Sequence, residues 1–231
     1  MNLAIITGAS VGIGCATAEA FLASGFEVCN LSRRDCPVDG VRNPGCDLSD
    51  EDSLGAACDS LSDAIAASES VCLVHNAAQM LKDSVDQCDS ETLRRVLETN
   101  VVAINSLNQH LLPVMPRSSS VIYVGSTLSE KAVPGSFSYV VSKHAQLGMM
   151  RSTCQDLMGR GIHTALVCPG FTDTEMLRQH IPAEAMESIR AMSAYGRLID
   201  PDEIAETIFW AATNPVINGA VLHANLGQRE S

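Results

Sequence analysis

Positive charge is scarce in this 231-residue sequence: 15 Lys and Arg stand against 27 Asp and Glu, a formal net charge of −12. Nucleic acid and anionic membrane both call for a cationic face, so neither is an expected partner. Aromatic residues are few as well, 4% against a hydrophobic share of 46%. The core must then be built mostly from Val, Ile, Leu and Ala, which alternating β and α segments supply. No apolar run approaches the ~18 residues of a membrane span. No basic segment or cleavage site accompanies Met1–Ile6, so neither export nor membrane spanning is expected and a cytoplasmic location is. C-x-x-C and H-x-x-x-H are both missing. The nine cysteines are scattered and odd in number, which suits reduced, buried thiols better than a disulfide framework or a zinc site. The six histidines stand apart, so no metal is expected, and His75 and His144 are assigned to packing. Linkers, repeats and low-complexity tracts are absent too, and the length suits one domain over 1–231.

What is present is a regular alternation. Leu3–Thr7 is an apolar run ending in a glycine turn, followed by a helical pattern that stops at Gly25. Phe26–Leu31 is a second strand and Val41–Cys46 a short third. Ser53 to about Ala67 is helical, Val71–Val74 a strand, and Glu91 to Leu112 a long helix halted by Pro113. Ser120–Gly125, Ile162–Cys168 and Gly219–Ala224 complete the strands. Helices occupy Ser136 to about Arg160 and Pro201–Thr213, the latter with proline in its first turn. The segment from Thr172 to about Tyr195 has no clean period and is expected to form a substrate flap. Buried strands alternating with helices imply a doubly wound parallel sheet of about seven strands, a three-layer α/β/α arrangement with helices on both faces. Ligands of such folds lie beyond the carboxyl ends of the strands.

Tyr139 and Lys143 sit four apart on a helix and share a face. A phenol ordinarily titrates near pH ~10, and an ammonium within roughly 4–6 Å favours the phenolate. A Tyr tuned in this way protonates a carbonyl oxygen as a hydride reaches the carbon, or takes the proton back in reverse, while a hydroxyl such as Ser126 holds the same oxygen. Taken alone, a Tyr and a Lys at this spacing equally describe a packed ring and a solvated stem. Their meaning comes from the rest of the chain.

Gly8, Gly12 and Gly14, with Ser10 and Ile13 between them, form T-G-x-x-x-G-x-G after the first strand. Small residues there admit a pyrophosphate against backbone N–H groups at a helix N-terminus, although a bare tight connection uses glycine too. After the second strand come Ser32, Arg33 and Arg34, guanidinium groups that suit a ribose 2′-phosphate. Asp35 keeps the unphosphorylated cofactor open as the rival. Asp47 and Leu48 follow the third strand, where they can hold an adenine.

Together these pieces resemble the short-chain dehydrogenase/reductase family in its single-domain form, a Rossmann-like NAD(P)-binding fold. The resemblance covers nearly the whole chain: Thr7–Gly14, Asp47, Asn76-Ala77-Ala78, Asn100, Ser126, Tyr139-x-x-x-Lys143, and Pro169-Gly170 with Thr172 and Thr174. It implies an oxidoreductase with Tyr139 as general acid/base. Lys143 would lower its pKa and bind the nicotinamide ribose. Ser126 would steady the substrate oxygen, and Asn100 would anchor a water relaying protons toward Lys143. Asn76, Ala77 and Ala78 would line the cofactor, and Pro169, Gly170, Thr172 and Thr174 would cover its nicotinamide. A homodimer or homotetramer is also implied. Two departures stand out: His75 and Ala78 replace an asparagine and a glycine, and the end Ala224–Ser231 lacks the common D-G-G.

The leading expectation is an NADPH-dependent reductase of a small-molecule ketone or aldehyde, or a dehydrogenase of the alcohol, with NAD(H) as second cofactor. Met176, Leu177, Ile181, Met186, Ile189 and Met192 suit an adaptable apolar pocket, and equally an ordinary core. A non-catalytic NADP(H)-sensing protein is the alternative, although a sensor has no need of Asn100, Ser126, Tyr139 and Lys143 together. A nucleotide-sugar epimerase or dehydratase requires a larger substrate domain than the residues after Cys168 provide.

Overall fold

In the computed structural model, which describes residues 1–229, seven strands make one parallel sheet. They are β1 (Asn2–Thr7), β2 (Glu27–Leu31), β3 (Val41–Arg42), β4 (Ser70–His75), β5 (Ser120–Val124), β6 (His163–Pro169) and β7 (Ala220–Ala224). Their order across the sheet is β3-β2-β1-β4-β5-β6-β7. The chain therefore steps one way from β1 to β3 and restarts on the other side of β1 with β4. At that switch the connections leave in opposite directions and a crevice opens beyond the strand ends.

The layers follow from strand periodicity. Leu3, Ile5, Cys29, Leu31, Leu73, Val121, Tyr123 and Leu166 face one core. Ala4, Ile6, Val28, Cys72, Val74, Ile122, Val124 and Val167 face the other. The first core is covered by α2 (Glu51–Asp59), α3 (Ser62–Ala66), α5 (Ala103–Leu111) and α6 (Phe137–Asp156), through Leu54, Ile65, Leu107 and Met150. Over the second lie α1 (Gly12–Ala23) and α9 (Pro201–Thr213), through Ala18, Phe21, Ile204 and Ile208. Three aromatics meet here: Phe21 packs edge-on against Phe26 and Phe209 at 5.1 Å each, which locks α1 to α9.

Several elements differ from their expected bounds. β3 covers only Val41–Arg42, because Asn43 Oδ1 accepts from Cys36 N and Asn30 Nδ2, at 2.8 Å each, and draws the chain off the sheet. The helix expected from Ser53 begins at Glu51, where the Asp50 carboxylate accepts from Ser53 N, and breaks into α2 and α3 at Ser60-Leu61. The long helix toward Leu112 is α4 (Ser90–Leu97), a π turn over Glu98–Val102, and α5. Asn100 lies inside that π turn and is fully buried. The segment after Pro169 carries α7 (Glu175–His180) and α8 (Met186–Arg190), neither with a buried residue. Its apolar side chains are thus not core. Backbone bonds from Asp173 N to Ile199 O (2.9 Å) and from Ala194 N to Leu226 O (3.0 Å) hold its two ends. Of the carboxyl-terminal departure, Glu230 and Ser231 lie outside the described residues.

Candidate active site

The crevice at the switch point has a volume of about 1550 Å³. Its floor begins with the glycine turn. Gly14 packs so tightly that a Cβ would press into the Gly8 carbonyl oxygen and stand 2.5 Å from Asn76 Nδ2. Asn76 ties the turn to β4 by donating from Nδ2 to Thr7 O (3.0 Å) and Gly8 O (3.1 Å). Thr7 Oγ1 accepts from both Asn76 N and Ala77 N. Gly12 has φ +58°, in the region that favours glycine, and its Cα faces the Thr174 methyl group, 3.2 Å from where a Cβ would sit. Thr174 caps α7 by accepting from Leu177 N at 3.2 Å.

The residues at the strand ends gather where the sequence placed them. Gly8, Ser10, Gly12, Ile13 and Gly14 line the crevice, as do Ser32, Arg33, Arg34, Asp47 and Leu48 beyond β2 and β3. Asn76, Ala77 and Ala78 line it from β4, and Pro169, Gly170, Thr172 and Thr174 from β6. Ser126, Tyr139 and Lys143 complete the wall. Asn100 is not part of it. The Arg34 guanidinium lies 3.9 Å from Glu175, an exposed pair. Asp47 is held below the usual carboxylate range by hydrogen bonds from Ser49 and by the nearby Arg33 charge. Met176, Leu177, Ile181, Ile189 and Met192 line the crevice from above.

Ser126, Tyr139 and Lys143 are brought together by β5 and α6. Ser126 lies beside the Tyr139 phenol, where its hydroxyl favours the ionised ring, and accepts from Leu128 N at 3.1 Å. Lys143 Nζ lies 5.5 Å from the centre of the Tyr139 ring. It donates to Val124 O (2.7 Å) and to Gln146 Oε1 (3.0 Å) rather than to the phenol oxygen. Burial consequently dominates both groups. It pushes Tyr139 up to about 12, with the Ser126 hydroxyl opposing, and brings Lys143 down to about 7. This is a correction to the expectation that the ammonium lowers the phenol: each group loses hydration, and each favours its neutral form. Tyr139 is thus a protonated phenol at neutral pH.

Asn100 is held by protein partners behind the crevice wall. Its side chain accepts from Gln79 N (2.7 Å) and donates to Gln79 O (2.8 Å) and Ser142 Oγ (2.9 Å), which clamps α6 to the loop after β4. Its main-chain carbonyl accepts from Gln146 Nε2 at 2.8 Å.

Four further residues shape the site without having been assigned a part in it. Asn30 accepts from Ala9 N (2.9 Å) and donates to Arg34 O (3.0 Å), which couples the glycine turn to the arginine loop. Asp83, buried, accepts from Ser138 N at 3.0 Å, so a distant loop caps α6, whose own Ser136 makes no capping bond. Gln146 holds Lys143. His75, beneath Asn76, bonds Asn108 Oδ1 at 2.9 Å, and burial lowers it to about 4, so it stays neutral.

A family model described as enoyl-(acyl carrier protein) reductase matches residues 8–229. The 3-oxoacyl-(acyl-carrier-protein) reductase of Vibrio cholerae is 27% identical over 238 residues, spanning 98% of this chain and 96% of its own. Cis-4-hydroxycyclohexanecarboxylate dehydrogenase of Sinomonas cyclohexanicum is 28% identical over 240 residues, with 98% and 96% covered. A solved short chain dehydrogenase family protein from Francisella tularensis superposes with a TM-score of 0.89 at 25% identity, covering 98% of this chain and 97% of that one. The chain belongs to the short-chain dehydrogenase/reductase family, oxidoreductases that bind a nicotinamide cofactor.

Proposed function

We propose that the protein is an NADPH-dependent reductase of a ketone or aldehyde, acting also on the alcohol in reverse, with Tyr139 as its general acid/base. The observation that carries this reading is the Tyr139 phenol, protonated, lining the crevice beside Ser126 and the buried Lys143 amine. A proton held on that phenol is available to a carbonyl oxygen as negative charge develops there. Ser126 would orient the same oxygen, and Lys143 in its protonated form, available near neutral pH, would stabilise the phenolate left behind. A nicotinamide cofactor held in this crevice would supply the hydride. The tight Gly8–Gly14 turn, which admits no Cβ at Gly14, fits a pyrophosphate against backbone N–H groups. Arg33 and Arg34 are the residues that would read a 2′-phosphate. The names of two relatives, an oxoacyl reductase and a hydroxy acid dehydrogenase, support a carbonyl/alcohol pair as the substrate class. The segment from Thr172 to about Tyr195 serves as the substrate flap, its half-buried Met176, Leu177 and Met192 lining the crevice.

Loss of NADPH absorbance over a panel of ketones and aldehydes tests the activity, with Tyr139→Phe as the decisive variant. It should keep cofactor binding and lose turnover by roughly 10²-fold or more. Unchanged turnover removes Tyr139 from the mechanism. Tight cofactor binding with a silent panel transfers the reading to a sensor.

A further inference from the structure

We infer that Gln146 is the positioning residue for Lys143, its amide bridging the Asn100 carbonyl and the lysine across the path that the family resemblance gives to a relay water. The inference rests on the proposed Tyr139–Lys143 chemistry. Gln146 stands three residues beyond Lys143 on α6 and is 1% exposed, as Lys143 is. Its Nε2 donates to Asn100 O at 2.8 Å, and its Oε1 accepts from Lys143 Nζ at 3.0 Å. The π turn interrupts the regular helical ladder around Asn100, and Gln146 gives that carbonyl a donor. A carbonyl accepts only from the NH₂ end of an amide, so the contact forces the amide oxygen toward the ammonium. A reversed amide would set NH₂ against the ammonium. Lys143 has three donors, two of them used by Val124 O and Gln146 Oε1. One is left for a partner in the crevice.

The titratable groups facing Lys143 are Tyr139 on the same helix and Cys168 at the end of β6. Burial raises both, so neither carries charge near neutral pH. Gln146 Oε1 and Val124 O are then the dipoles that keep an ammonium bearable in this place. Removing the Gln146 acceptor should lower the Lys143 midpoint by about one unit, the usual scale of a hydrogen bond to a charged group.

Two variants separate this role from packing. Gln146→Met fills the volume without a polar atom, whereas Gln146→Ser shortens the side chain and leaves a polar gap that a water can occupy. The expected order of kcat is wild type, then Gln146→Ser within about threefold, then Gln146→Met down by about tenfold or more with little change in KM. A mere packing role predicts the reverse, with Met tolerated and Ser the worse, and that order overturns the inference. A readout without turnover comes from ¹³Cε-labelled lysine, because the chain holds only Lys82, Lys131 and Lys143. Lys143, identified by its loss in Lys143→Met, should titrate about one unit lower in Gln146→Met than in wild type. An unmoved midpoint overturns the inference. Tyr139→Phe, assayed alongside, separates the two readings. Full turnover there with a shifted midpoint defeats the proposed chemistry and keeps the Gln146–Lys143 contact. Lost turnover with an unmoved midpoint defeats the contact alone.

Discussion

Lys143 makes the protein's stability depend on pH in an unusual direction. The side chain is 1% exposed, and burial lowers it from an ordinary 10.5 to about 7. Between those values the unfolded chain holds a proton that the folded chain has released. Stability therefore rises with pH over that window, and the cost of burying the ammonium is fully present below pH 7. From pH 7 to pH 9 the contribution recovered is about 2 kcal/mol, working from a folded midpoint near 7 and 1.36 kcal/mol per unit. Five buried or half-buried thiols act against it. Cys15, Cys46 and Cys72 are raised to about 11, Cys29 and Cys58 to about 12. Unfolding lets them ionise above pH 9, so they draw stability down there. The measurement is thus a difference: urea unfolding of wild type and Lys143→Met at pH 6, 7, 8 and 9, in which the thiols cancel. The gap between the two should move by about 2 kcal/mol in favour of wild type from pH 7 to pH 9. Parallel curves would refute the depressed lysine, and with it the argument that burial outweighs every charge around it.

Replacing Arg33 and Arg34 together by alanine should weaken NADPH by at least about tenfold and NADH by less than about threefold, read by fluorescence titration; equal losses would show that neither guanidinium reads a phosphate. Gly14→Ala should cost on the order of 2–3 kcal/mol, because the new Cβ must push back the Gly8 carbonyl and the Asn76 amide. Its Tm should fall by roughly 5–10 °C, with cofactor binding lost, and an unchanged Tm would mean the turn yields freely.

The order of elements was legible along the chain because its signals are local. Leu3–Thr7 alternates between two cores, and that period is written in the strand itself. Pro201 in the first turn announced α9, where the structure adds a capping box between Asp200 and Glu203. The boundaries that went astray depended on partners far away in sequence. β3 stops at Arg42 because Asn43 answers Cys36 and Asn30, and no pattern within Val41–Cys46 reports that. The clustering of Gly8–Gly14, Asn76, Ser126, Tyr139 and Lys143 followed from the parallel sheet, since each piece trails a strand and the strand ends share one edge.

By itself, then, the amino-acid order determined the succession of strands, the glycine turn and the pairing of Tyr139 with Lys143 on one helical face, all consequences of spacing along a backbone of known pitch. The tertiary structure alone decided the chemistry of those two groups. Their protonation depends on lost hydration, and hydration is removed by elements from across the chain: Val124 on β5, Cys168 on β6 and the π turn around Asn100. Spacing places an amine and a phenol side by side, but only the packing around them sets which one holds the proton.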